Sequence, residues 1–253
     1  MIRKDCFTPE WVDNLSERYN YRDKNLILNA YYPSIMSKGI AHIYLAWRKG
    51  AGYPRIIIGV IKRNAFGVTF SYIQEGLDEA KKDGFVTYTD FPDEKRIYSE
   101  GVLDFFGLRL NKPEREDIQK YYDYWEIDPR YKDDKYYLLA HTQGLLPTDN
   151  FEFLADFNPI KGISFTSELC GLTKLKLPKD TLEEGDELTW VKEPLNAHDK
   201  YAVKVYKGVF FVGYIKKIHS HIFYKKCRSK LRITVKSLNR NGHLNRAFIR
   251  ISF

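Results

Sequence analysis

Glu193, Asn196, His198 and Asp199 crowd into a short polar stretch between two alternating runs, residues 187–192 and 202–206. Asn and Asp carry short side chains that bond to nearby backbone and hold a turn. The same groups can instead present an amide and a carboxylate to a ligand, and for Asn196 and Asp199 both readings stand. Pro194 removes a ladder donor and so ends the first run. A tight turn at Lys207-Gly208 leads into Phe211-Val-Gly-Tyr-Ile-Lys-Lys217. Tyr206, Phe210, Phe211, Tyr214, Phe223 and Tyr224 interleave there with basic residues, Lys216 and Lys217 among them. A cationic groove with stacking aromatics is the chemistry of nucleic-acid binding. Strand alternation sends about half of these rings to a core. It also puts Phe210 and Phe211 on opposite faces, which leaves one of the two as a stacking candidate.

Charge points the same way. Residues 209–253 hold six Lys, five Arg and no Asp or Glu. From residue 161 onward 19 basic residues face 8 acidic ones, +11, whereas the first 160 hold 22 against 25, −3; together these give the net +8. A cationic end of this kind calls for a polyanion, most commonly nucleic acid.

Other chemistry finds little support. His219 and His221 are two apart, which on a helix does not face one metal. The acids Glu183, Glu184, Asp186 and Glu187 read as the exposed approach to a strand, and Asp133-Asp134 as solvated. Cys6, Cys170 and Cys227 are odd in number and widely spaced, so neither a disulfide framework nor a zinc site is expected. No secretory leader or membrane-length apolar run is evident, and a cytoplasmic location is expected. No enzyme activity and no cofactor are expected.

The pattern Glu193-Pro-x-Asn196-x-x-Asp199-x-x-Ala202-Val-x-Val205, then Gly213-Tyr-Ile215, resembles the HIRAN domain. Leu182-x-x-Gly185-x-x-Leu188 upstream fits the same family, and the resemblance spans residues 160–253. It implies a small OB-like or SH3-like β-barrel that binds single-stranded DNA, in relatives at a free 3′ end. By position, Asn196, His198, Asp199 and Lys217 would meet the terminal nucleotide. His198 stands where the family usually has Tyr. Thr173 and Lys174 stand where an Arg-aromatic pair often follows Gly-Leu.

Upstream, residues 1–37 read as a lead-in with a helix over 10–19, capped by Thr8-Pro9. Residues 43–48, 54–63 and 67–73 read as short strands, and residues 99–157 as helical, with helices at 99–110, 113–125 and 135–141. In the second half, strands are expected at 162–169, 187–192, 202–206, 209–215, 231–238 and 247–253, with a helix at 218–228. The fold class is therefore α+β: a mixed sheet with helices over 38–157, then a barrel over 160–253, the boundary falling near Asn158-Pro159.

Residues 40–155 also resemble the N-terminal, non-kinase domain of HipA-type toxin kinases. The cues are the strand at 56–63, residues 67–72, Phe91-Pro92, Tyr98, Phe105-Phe106, Leu138-Leu-Ala140, Gly144 and Pro147 to Phe151. That resemblance implies a kinase-like or other protein partner. The leading expectation is a non-catalytic DNA-binding protein of a prokaryotic defence, repair or toxin–antitoxin locus. The alternatives are a regulatory subunit of a HipA-like kinase and a cryptic nuclease.

Overall fold

A computed structural model describes residues 39–50, 52–226, 230–241 and 243–253. The helix expected over residues 10–19 lies outside them. Three strands, β1 (Ile40–Trp47), β2 (Ile56–Asn64) and β3 (Gly67–Tyr72), meander antiparallel, and a fourth, β4 (Phe151–Phe157), pairs antiparallel with β1. The order is β3-β2-β1-β4. The expected all-helical stretch 99–157 is thereby corrected, because its last seven residues form β4. Residues 152–155 are all buried, so no in–out alternation marks the strand.

Four helices accompany this sheet: α1 (Gln74–Lys82), α2 (Val102–Gly107), α3 (Ile118–Tyr124) and α4 (Lys135–Thr142). Aromatic rings fill the space between sheet and helices. Phe70 on β3 touches Tyr72, Phe91, Tyr98 and Phe106, with centroids 4.9–6.5 Å apart. Part of the Phe- and Tyr-rich composition goes into this core. Gly76 lets α1 lie directly on β2: a Cβ there would sit 1.9 Å from the Ile57 carbonyl oxygen. Gly76→Ala is therefore expected to destabilise the chain by roughly 1–3 kcal/mol or more, read as a lowered melting temperature.

Every residue of α4 after its first is buried. Asp134, expected to be solvated, instead caps it, accepting from the Tyr136 and Tyr137 amides at 3.0 and 3.2 Å, and pairs with Arg63 at 2.6 Å.

The second half is a closed barrel of β5 (Ser164–Cys170), β6 (Glu187–Lys192), β7 (Val203–Lys207), β8 (Phe210–Ile215), β9 (Arg232–Asn241) and β10 (His243–Ser252), in the order β10-β5-β8-β7-β6-β9. Phe165, Val203, Val205, Val212, Ile233, Ile249 and Ile251 line its interior. A single helical turn, α5 (Leu172–Leu175), follows β5. The helix expected at 218–228 is a 3₁₀ segment, His219–Tyr224, entered through Ile218 at φ 73°. Ile40–Phe253 forms one compact unit. Among the described residues no helix is long and apolar enough to cross a membrane.

Candidate nucleic-acid interface

The polar stretch between β6 and β7 is a turn bonded to itself. The Glu193 amide donates to the Ala202 carbonyl at 2.8 Å and closes the strand ends. Asn196 Oδ1 accepts from the His198 and Asp199 amides at 2.9 and 3.1 Å, while its Nδ2 donates to Glu193 Oε2 at 2.8 Å. Asp199 Oδ1 accepts from the Tyr201 amide at 2.8 Å. Lys204 reaches Glu193 at 2.5 Å, and the Tyr214 hydroxyl donates to it at 3.1 Å. The Lys204 bond, then Asn196, holds the Glu193 carboxyl below the usual range.

Asn196 thus spends both ends of its amide on the turn. Asp199 keeps one carboxylate oxygen clear of the turn, and the exposed His198 presents its ring outward. Asn196→Ala is expected to lower stability by roughly 1–3 kcal/mol in a melting experiment, since it strips three bonds from the turn and leaves two backbone amides without their acceptor.

Tyr214 connects this turn to β5. It pairs with Cys170, and its ring lies 4.0 Å from where a Gly171 Cβ would stand. Gly213 sits at φ 138°, and a Cβ there would meet the Cys170 carbonyl oxygen at 2.8 Å. Glycine is what lets β8 close on β5 and turn Tyr214 outward. Thr173 and Lys174 are exposed on α5, the turn that follows Gly171, while the 193–201 turn bonds the hydroxyl of Tyr214.

Residues 159–248 match the HIRAN domain family. Two solved structures are similar as well. The HIRAN domain of human HLTF shares 19% identity over 35% of this chain and 74% of its own, with a TM-score of 0.28. A protein from Lactobacillus plantarum shares 19% identity over 37% of this chain and 96% of its own, also at 0.28. No curated protein matches the chain. The family match begins just past the end of β4, and the HipA-type resemblance of residues 40–155 stays an expectation.

At the end of β8 the two adjacent lysines part company. Lys217 is exposed just beyond β8. Lys216 turns inward and is 0% exposed, which corrects its assignment as a nucleic-acid contact. Its ammonium meets Glu152 of β4 at 2.5 Å, Gln143 Oε1 at 2.9 Å and Glu168 of β5 at 3.4 Å. Arg55 also pairs with Glu152 and lies 3.7 Å from Glu168, which Arg246 reaches at 2.7 Å. Burial opposes charge on Glu152 and Glu168, yet Lys216 and the arginines outweigh it and hold both carboxyls below the usual range. Gln143 completes the junction by donating to the Thr166 carbonyl at 3.0 Å. Sequence reasoning missed Glu152, and only the recognition of β4 as a strand could have placed it.

Other tail charges are likewise spent inside the molecule. Lys225 binds Asp156 at 2.7 Å, Lys236 binds Glu126, and Arg240 donates to the carbonyls of Lys179 and Leu182 at 2.8 Å each. Lys217, Arg232 and Arg250 are exposed and have no carboxylate partner among the described residues. The polyanion that the acid-free tail calls for is thus supplied in part by the N-terminal half.

Proposed function

We propose that this chain is a non-catalytic nucleic-acid-binding protein that holds single-stranded DNA, or a DNA end, on the outer surface of its HIRAN barrel. The supporting observation is that Tyr214 joins the 193–201 turn to the end of β5, from which exposed Thr173 and Lys174 follow, within the region that matches the family. In this reading Asn196 shapes the site rather than touching the ligand. The open oxygen of Asp199 accepts from a 3′-hydroxyl, which only a free end offers. His198 and Tyr214 supply flat faces for a terminal base, and Lys217 and Lys174 neutralise phosphate.

Fluorescence anisotropy with the full chain and a labelled single strand tests the reading. Log affinity is expected to fall with log salt by roughly 0.7 per phosphate contact. Lys217→Ala is expected to weaken every strand alike and to reduce that slope by about one contact. Asp199→Ala is expected to abolish only the preference for a 3′-hydroxyl over a 3′-phosphate. Binding that is absent, or indifferent to salt, would refute the proposal.

A further inference from the structure

β6, β7 and β8 turn a second surface outward, beside the turn. Thr189 stands opposite Tyr206, and Tyr206 opposite Phe211. Val191 stands opposite Lys204, and Lys204 opposite Tyr214. Residues directly paired across antiparallel strands share a face, and the intervening Leu188, Val203, Val205 and Val212 point into the barrel. The outer face therefore has two rungs, Thr189–Tyr206–Phe211 and Val191–Lys204–Tyr214. Its rings form an unbroken row: Tyr206 to Phe211 is 5.7 Å between centroids, and Phe211 to Tyr214 is 5.2 Å. Phe210, 70% exposed, and Val191, 56% exposed, extend the apolar surface at its margins. Scattered exposed apolar residues are ordinary, but a contiguous patch is not.

We infer that the Tyr206–Phe211 face is a stacking platform for the bases next to the terminal nucleotide of a bound single strand. The inference rests on the function proposed above. Three observations favour nucleic acid as the occupant. The row begins at Tyr214, which already belongs to the candidate site, so a strand held at the turn runs straight onto it. Its rings are half-buried, Phe211 meeting Tyr214 edge to face and Tyr206 at a tilt, which suits planar bases better than the irregular relief of a protein partner. The lysines beside it are committed, Lys204 to Glu193 and Lys207 to Asp186 at 2.6 Å. Affinity gained on this face therefore comes from stacking rather than from phosphate neutralisation.

That division makes the test specific. Anisotropy titrations would use the full chain with a labelled mononucleotide and a twelve-nucleotide strand, both ending in 3′-hydroxyl. Wild type is expected to bind the strand more tightly. Phe211→Ala and Tyr206→Ala are each expected to weaken the strand roughly 5- to 150-fold, at about 1–3 kcal/mol per stacked base. Mononucleotide binding and the salt slope of the strand should stay unchanged. Phe211→Leu keeps the apolar bulk and removes the flat ring, so it should show the same loss with a wild-type melting curve. Mononucleotide binding with no loss for the strand in any variant would overturn the platform and leave the end site standing. Loss of both ligands together in a folded Phe211→Leu chain would overturn it too, and so would a change in oligomeric state without a change in DNA affinity. Failure of wild type to bind either ligand would remove this inference together with the proposed function.

Discussion

Lys216→Met is expected to destabilise the chain by roughly 3–5 kcal/mol, while the neighbouring Lys217→Ala leaves the melting temperature where it was. The contrast follows from where the two ammonium groups sit. Removing one member of a buried ion cluster strands its partners, and breaking such a pair is far more costly than the pair's own net contribution. Met keeps the length and apolar stem of Lys216, so little of the loss is cavity. What goes is the cation between Glu152 and Glu168, and the donor to Gln143 Oε1. Because Glu152 and Gln143 belong to β4 and the end of α4, the sheet and the barrel should lose stability in one transition. Thermal unfolding followed by near-ultraviolet dichroism checks this. A Lys216→Met chain that melts like wild type yet binds DNA poorly would return Lys216 to the surface.

Mild acid is expected to destabilise the protein before its carboxylates titrate. His141 and His219 are both buried at the same junction. Tyr137 stacks on His141 at 4.1 Å, and Phe157 touches both imidazoles at 5.2 and 5.8 Å. Burial lowers His141 to about 3, with Asp128 opposing. Burial, then the charges of Lys216, His141 and Arg55, takes His219 well below its ordinary value, with Asp156 opposing. Each imidazole is neutral when folded and free to protonate when unfolded near pH 6.5. Below that pH the unfolded chain binds more protons, so stability falls as pH falls, by about 1.4 kcal/mol per histidine per pH unit. Two such groups remove roughly 5 kcal/mol between pH 6.5 and 4.5, comparable with the whole stability of a modest domain. Glu152, Asp156 and Glu168, all held below their ordinary values, lose their contribution only at lower pH, in the same direction. Denaturant titrations from pH 7.5 to 4.5 should show the slope. His141→Phe, which keeps the stacked ring, should halve it. His219→Asn should halve it too, and Asn can still meet Ser167, whose hydroxyl lies 2.8 Å from Nδ1. A stability that is flat down to pH 5 would mean that these rings are not buried neutral.

The barrel was largely legible in the sequence because its strands are half-solvated and keep a two-residue period. The expected 187–192 coincides with β6, and 209–215 overlaps β8 by all but its first residue. The turn was legible because Asn196 and Asp199 do there what their side chains do in any turn. β4 was not, since both of its faces are covered. Lys216 was misplaced for a related reason. The residue lies one past β8, where strand alternation stops, and the acid that draws it inward lies 64 residues upstream. Separations of 69 residues for Lys225 to Asp156 and 110 for Lys236 to Glu126 hid the rest of the internal neutralisation. A charge count reports sign and amount along the chain, and it cannot say which charges fold against each other. The Phe210/Phe211 choice resolves through register: Phe211 shares the outer face with Tyr206 and Tyr214, and Phe210 stands at the open hairpin end.

Photocrosslinking tests the central claim most directly. The full chain would be mixed with a single strand carrying a photoreactive base near its 3′ end, irradiated, digested and mapped by mass spectrometry. The account predicts adducts on the surface formed by His198, Tyr214 and the Thr173–Lys174 ridge, lost when unlabelled strand competes. Adducts confined to residues 40–157, or scattered over the protein and insensitive to competitor, would contradict it.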